Sequence, residues 1–368
     1  MINDILIEII NKLSPITMII FSLTNKNMNL LCQENLYYQI FTQNIKKIGC
    51  GSYYSMIIKN HQLYSVGAYL DSHIFNRTHN HIPTLLLNKV ISVHCGNHHC
   101  LFMTSNHVYG VGCNLYQQLG LPELKEYQLQ ILPYSPHDVL FISCGGNHTF
   151  ILTRQGLYAF GNNVNGELGI TPSGPTAPTL IPFNEQILQI SCGYSHTIFR
   201  TKNKLYGYGC NKSGQLGLPT WDMEVIKVSC GVSHSVFLLK DGVYGLGSNI
   251  MGELGLGNLN YVYKPTKIEL YENIIDICCG GHHTLFLTTT GLYGTGCSYY
   301  GELGLGNHLS QHTPVRISYK NITDFACGDG HTIVKTDKYY GFGLNRYSQL
   351  GLGKYKKKKY NKPQLMMI

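Results

Sequence analysis

A cysteine and a histidine four residues apart, with glycine between them, are the side chains here best suited to chemistry; one copy reads Cys144-Gly145-Gly146-Asn147-His148. A thiol and an imidazole at that spacing could supply one corner of a tetrahedral zinc site or a nucleophile with its general base. Zinc needs about four ligands converging on one ion. A nucleophile needs an orienting third group and a place for the reacting atom, so one copy would have to stand apart from any others.

The motif is instead a repeat. Cys-Gly recurs at Cys50, Cys95, Cys144, Cys192, Cys230, Cys279 and Cys327, at intervals of 45, 49, 48, 38, 49 and 48 residues. Three residues past the glycine stand His99, His148, His196, His234, His283 and His331, with Tyr54 in that place in the first unit. Because no copy is set apart, the cysteines read as small packing residues beside a glycine, close to the axis of a ring. The histidines read as buried groups that satisfy turn carbonyls or amides within their own unit. Cys113, Cys210 and Cys297, each just after Gly-x-Gly, read as packing residues too. No catalytic residue, metal or cofactor is expected.

Each unit runs on into a tyrosine-glycine segment, such as Tyr244-Gly-Leu-Gly, and then a segment ending in Leu-Gly, such as Gly252-Glu253-Leu254-Gly255. Between these lie apolar runs of four to six residues, rich in β-branched and aromatic types and bounded by glycine turns. A unit has room for four short strands and none for a long helix besides, which is the make-up of one propeller blade. Seven units close into a seven-bladed all-β propeller over residues 45–368. Pro-Thr pairs recur at Pro83, Pro178 and Pro265, with Thr313-Pro314 a variant, but no such strand precedes the first Cys-Gly. The C-terminal strand around Lys362-Pro363-Gln364-Leu365 is therefore expected to complete the first blade.

Composition agrees with a packed protein: 43% of the 368 residues are hydrophobic. An odd count of 13 cysteines, most in the regular repeat, argues for reduced thiols inside a cell, cytoplasmic or nuclear, rather than a disulfide scaffold. No run approaches the roughly 20 apolar residues of a membrane span, and the N-terminus, broken by Glu8, Lys12 and Pro15, fits no signal peptide. A monomer without membrane contact is expected. The net charge of +8 is concentrated in six lysines between Lys354 and Lys362. Of these, Lys356, Lys357, Lys358 and Lys359 could contact phosphates, but no basic stripe accompanies them, so nucleic acid is the lesser expectation.

Residues 1–44 fall outside the repeat. Ile5, Leu6, Ile9, Ile10 and Leu13 mark one helix face. Ser14 and Pro15 suit an N-cap and first turn, and Ile19, Ile20 and Leu23 carry a second stripe. Short helices of this kind need a neighbour to cover their apolar faces.

The units, with Cys-Gly-x-x-His-Thr, Tyr-Gly-x-Gly and Gly-Gln-Leu-Gly, resemble the regulator of chromosome condensation repeat family. That resemblance covers about residues 45–368 and implies a seven-bladed propeller. Residues 2 to about 41 are similar to the F-box motif, with Leu13-Ser14-Pro15 as the matching centre, although Ile2-Asn3 replaces its Leu-Pro opening and Asn29 a common tryptophan. This implies that Ile5, Leu6, Ile9, Ile10, Leu13, Pro15, Ile19, Ile20 and Leu23 bind a Skp-type adaptor of a cullin ubiquitin ligase. Some propeller relatives exchange guanine nucleotide on a Ran-type small GTPase through acidic and histidine residues of the Cys-Gly-x-x-His turns. Here those turns carry Tyr53, Asn97, His98, Asn147, Tyr194, His282 and Asp329, of which only Asp329 is acidic, and no unit is long enough to hold an inserted wedge. The expectation is a non-enzymatic adaptor that binds a client protein through these turns; nucleotide exchange and chromatin binding are the alternatives.

Overall fold

The second strand of a repeat unit has no polar face to offer water. His99–Thr104 and His234–Leu239 are buried at every residue, and a strand buried on both sides must lie between two other layers. The computed structural model supplies those layers as neighbouring blades. It describes residues 40, 45–68, 80–121, 128–171, 173–217, 224–317, 319, 321–353 and 357–368. The expected helical segment over residues 1–44 lies outside them except for Ile40. Among the described residues no helix is long and apolar enough to cross a membrane.

Seven antiparallel sheets follow one another along the chain, each a meander of consecutive strands. The first blade contains Ile48–Cys50, Tyr54–Lys59, Gln62–Gly67 and Asn80–Asn88; the last contains Asp324–Cys327, His331–Lys335, Tyr339–Leu344 and Lys359–Leu365. Six blades have four strands, and the fourth has three among the described residues. The core lies between blades: Phe102, Phe150, Phe199, Phe237 and Phe286 are fully enclosed. Cysteines and glycines of the innermost strands surround an axial cavity of about 300 Å³.

Two expectations are corrected. The C-terminal strand Lys359–Leu365 does not complete the first blade; it pairs with Tyr339–Leu344 as the outer strand of the seventh. The first blade has its own outer strand, Asn80–Asn88, which contains Pro83. The Pro-Thr segment ends a blade rather than beginning one, because proline lacks an N–H and fits where nothing pairs beyond it. The ring closes through side chains instead: Ile48, Ile57 and Val66 pack with Ile333, Tyr339 and Met366, and Pro83 presses on Gly351, where a Cβ would lie 2.9 Å from its ring.

The second correction concerns the histidines, which join blades rather than satisfying their own turns. His99 Nε2 lies 2.7 Å from Thr149 Oγ1 of the next blade, and the same bond links His148 to Thr197, His196 to Ser235, His234 to Thr284, His283 to Thr332 and His331 to Ser55, at 2.8–3.1 Å. Each hydroxyl donates its own proton to a carbonyl, Thr149 to Gln118 O and Ser55 to Gln349 O for example. The hydroxyl must then accept from the imidazole, which assigns Nε2–H as the tautomer. Burial holds His99, His148, His196, His283 and His331 down at about 3, so they stay neutral donors.

The glycine of each Cys-Gly makes room for that ring. A Cβ on Gly145 would lie 2.3 Å from His148 Cε1 and 2.6 Å from Gly193 O in the next blade, and similar clashes recur at Gly96, Gly193, Gly231, Gly280 and Gly328. The pattern is broken twice in compensation, once in the first blade and once in the second. Tyr54 replaces histidine and reaches Gly96 O and His99 O at 2.8 and 2.6 Å. The partner position in the second blade holds Cys100 where the others hold a hydroxyl. The two departures should be coupled. Tyr54→His alone is expected to destabilise by about 2 kcal/mol, and Tyr54→His/Cys100→Thr to recover at least about 1 kcal/mol of it. A double-mutant cycle in urea checks this; additive effects would refute the pairing.

Candidate functional site

Strand directions alternate, so the turn after the first strand and the loop after the third emerge on one face of every blade. The sequence-predicted turn residues Tyr53, Asn97, His98, Asn147, Tyr194, His282 and Asp329 all fall on that face. Asn97, Tyr194 and Asp329 line the mouth of the axial cavity. Tyr53 sits with its ring centroid 4.6 Å from Tyr347 and 6.3 Å from His98. Burial raises the Asp329 carboxyl above its ordinary value, opposed by the nearby His282 and His98. Burial also lowers His98 against the pull of Asp329.

The loops are built on a constant frame. Asn114, Asn163, Asn211, Asn249 and Asn345 each accept, through Oδ1, the N–H of the leucine five residues later at 2.8–3.1 Å. The Gln or Glu before that leucine reaches back: Gln118, Glu167, Gln215, Glu253, Glu302 and Gln349 accept the N–H of the residue two positions earlier at 2.8–3.1 Å. Gly252 and its equivalents take positive φ to let the chain turn between them. The Glu and Gln of the recurring Leu-Gly segment are thus buried loop clamps, and their backbone carbonyls also receive the hydroxyl of the next blade, as Glu302 O does from Thr332.

Two residues form the tip of each loop: Leu115-Tyr116, Val164-Asn165, Lys212-Ser213, Ile250-Met251, Tyr299-Tyr300 and Arg346-Tyr347. The second of each pair gives its backbone N–H to the clamp, and the Asn165 side chain also bonds a clamp, through Nδ2 to Glu167 at 3.0 Å. Leu115, Val164 and Tyr299 are 61%, 62% and 63% exposed. Large apolar side chains held out on rigid loops are the usual substance of a protein-binding surface. The sequence reading missed them, yet a signal was present: the pair before Gly/Gln/Ser-Glu/Gln-Leu-Gly varies while its surroundings do not.

The remaining predicted residues divide in two. Lys357 and Lys358 are exposed and Lys359 half-buried at the start of the outermost strand of the seventh blade; Lys356 lies outside the described residues. So do Ile5, Leu6, Ile9, Ile10, Leu13, Pro15, Ile19, Ile20 and Leu23. The motif cysteines ring the axial cavity, and burial pushes Cys192 and Cys230 up to about 12, leaving protonated, poorly nucleophilic thiols. Among the described residues no group of three or more His, Cys, Asp or Glu side chains is arranged to hold a metal ion.

Two of the clamps are shifted in opposite directions. Burial is the largest influence on Glu253 and raises it, but the hydrogen bond from His282 Nδ1 at 3.3 Å, the nearby His234 and the backbone N–H donors together outweigh burial and leave the carboxyl below its ordinary value. At the next blade Gly330 stands where His282 does, and burial pushes Glu302 up to about 7. A folded-state value above the unfolded 4.5 means that ionising Glu302 costs folding free energy, so its contribution falls as pH rises from about 4.5 through 7. Glu302→Gln keeps the acceptor for Tyr300 N–H without the charge. It should match the parent near pH 4.5 and exceed it by roughly 2–3 kcal/mol at pH 8, at about 1.4 kcal/mol per pKa unit; urea unfolding at the two values checks this.

A family model described as the RCC1-like domain matches residues 88–367. Among solved structures, yeast RCC1 (Prp20) bound to Kap60 superimposes with a TM-score of 0.74 at 19% identity, over 90% of this chain and 87% of that one. Prp20p from Saccharomyces cerevisiae, described together with its binding to Gsp1p and histones, gives 0.75 at 20%, over 86% and 88%. Human WBSCR16 gives 0.69 at 24%, over 79% and 85%. At such identities the structural likeness speaks for the fold alone. A comparison with curated protein sequences finds no match. With a family match spanning most of a chain that folds into seven blades, six of whose loops share one set of clamps among the described residues, the chain belongs to the RCC1-like domain family.

Proposed function

We propose that this protein is a non-enzymatic interaction adaptor whose loop face binds a client protein. The observation that carries this is the separation of frame from tip: six loops share buried Glu/Gln clamps, while the tips, mostly large and apolar, are held out to solvent. The clamps hold the backbone N–H of Met251 and Tyr300 and make no use of the side chains of Ile250, Met251, Tyr299 or Tyr300, and anchors of this kind supply most of the energy of protein recognition. The turn residues Tyr53, Asn97, His98, Asn147, Tyr194, His282 and Asp329 form the inner part of the same face.

The F-box-like pattern of residues 2 to 41 supports the finer reading that a Skp-type adaptor docks on Ile5, Leu6, Ile9, Ile10, Leu13, Pro15, Ile19, Ile20 and Leu23, bringing the client to a ubiquitin ligase. Nucleotide exchange on a Ran-type GTPase is the second reading, favoured by Prp20p and its described binding to Gsp1p. The turns of this chain weigh against it, with Asp329 their one acidic residue.

Purified full-length protein is expected to retain a purified Skp-type adaptor, and the chain lacking residues 1–44 to lose it. Ile250→Asp/Met251→Asp should abolish client capture from a cell lysate while sparing adaptor retention, and labelled GDP on Ran-type GTPases should be released no faster in the presence of the parent protein. A folded full-length chain that ignores the adaptor sinks the ubiquitin-ligase reading; accelerated GDP release replaces the adaptor reading by the second.

A further inference from the structure

The lysine run and the tyrosine pair, more than fifty residues apart in sequence, meet in the fold. The loop of the sixth blade lies on the outer strand of the seventh, with Gly306 N–H donating to Asn361 O at 2.6 Å and Asn361 Nδ2 to Gly306 O at 2.9 Å. This brings Lys359 Nζ to 4.7 Å from the centroid of the Tyr299 ring and 3.1 Å from Tyr299 O. Lys357 and Lys358 precede that strand and are exposed, with their carbonyls held by Asn345. Among the described residues no carboxylate forms an ion pair with any of the three. The loop tip of the preceding, fifth blade is Ile250-Met251, each more than two-fifths exposed.

We propose that this rim is a docking site for an acidic protein segment that carries an apolar anchor residue. The inference rests on the reading that the loop face binds a protein, and names the chemistry of what binds. An exposed apolar patch favours an apolar side chain. Unpaired cations along one edge favour carboxylates and speed their approach. The combination selects a segment in which Asp or Glu residues flank a Leu, Phe or Tyr. Nucleic acid fits less well: Lys359 already covers one face of Tyr299, and Tyr300 meets it at 82° with centroids 5.0 Å apart. Bases stack on open aromatic faces, and Ile250 and Met251 offer nothing to a phosphate.

The test is selection of a random dodecapeptide library on the folded full-length protein, followed by fluorescence anisotropy of the enriched peptides. Enrichment of acidic residues around one apolar residue is expected. Binding should weaken at least tenfold in Lys357→Glu/Lys358→Glu and in Tyr299→Ala, less in Lys357→Gln/Lys358→Gln, and should fall with salt. Thermal melts of each variant establish that it is folded. No enrichment, enrichment without acidic bias, indifference to the lysine variants, or tighter lysine-dependent binding of a 20-nucleotide single-stranded DNA would overturn the proposal. If Ile250→Asp/Met251→Asp abolishes client capture while Lys357→Glu/Lys358→Glu does not, the interaction face stands and its acidic partner falls.

Discussion

Seven glycines set the dimensions of this molecule. At six of the Cys-Gly motifs the glycine lies so close to the histidine ring of its own blade and to the next blade's glycine carbonyl that a methyl group would overlap both; at Gly51 the ring is that of Tyr54. The imidazole lying on that glycine is thereby aimed sideways, and its Nε2–H meets the neighbour's hydroxyl, which in turn donates to the backbone of the Glu/Gln clamp. One buried bond of this type contributes only about 1 kcal/mol net. Left unpaired in a sealed interior, the same groups would cost more, so the relay fixes the register of one blade on the next as well as adding to stability.

That relay also ties the hidden interior to the exposed face. Glu253 accepts the loop-tip N–H of Met251 with its side chain and the hydroxyl of Thr284 with its carbonyl. The loop is consequently anchored to the next blade, not merely to its own sheet. Loops held this way can carry large apolar tips without collapsing onto the surface. The outer rim adds a second anchor, since most of the described Leu-Gly loops lean on the outer strand of the following blade, as Gly255 does on Pro314. Recurring prolines, glycines, histidines and glutamates are thus parts of one inter-blade joint.

Much of this was legible before any coordinates. Seven Cys-Gly copies at near-constant spacing require seven similar units, and short apolar runs between glycines require strands, so the propeller followed from periodicity. The dismissal of Cys144 and His148 as a catalytic or zinc site followed from their repetition. Three things were not legible. The phase of the unit was misread, because Pro-Thr lies between two Cys-Gly motifs and its partner strand cannot be told from order alone; the hydrogen-bonded register of Tyr340 with Leu365 settles it. The partner of each histidine sits in the next blade, 39 to 50 residues on, or 276 back where the seventh blade meets the first, and local patterning has no reach over such distances. The loop tips were overlooked because their residue types differ from unit to unit, so the recurrence that marks the rest of the unit does not mark them.

The sequence by itself determined the number of blades, their strand content and which residues recur, since each depends on contacts within one unit or on recurrence. It also marked Tyr54 as a departure, without its counterpart at Cys100. Only the tertiary structure decided which residues share a surface. Tyr299 and Lys359 are sixty positions apart, and nothing in their local sequence aligns them; they meet because the sixth blade's loop packs on the seventh blade's edge. Blades are alike through local chemistry, whereas the face they jointly present depends on how ring closure places loops that differ.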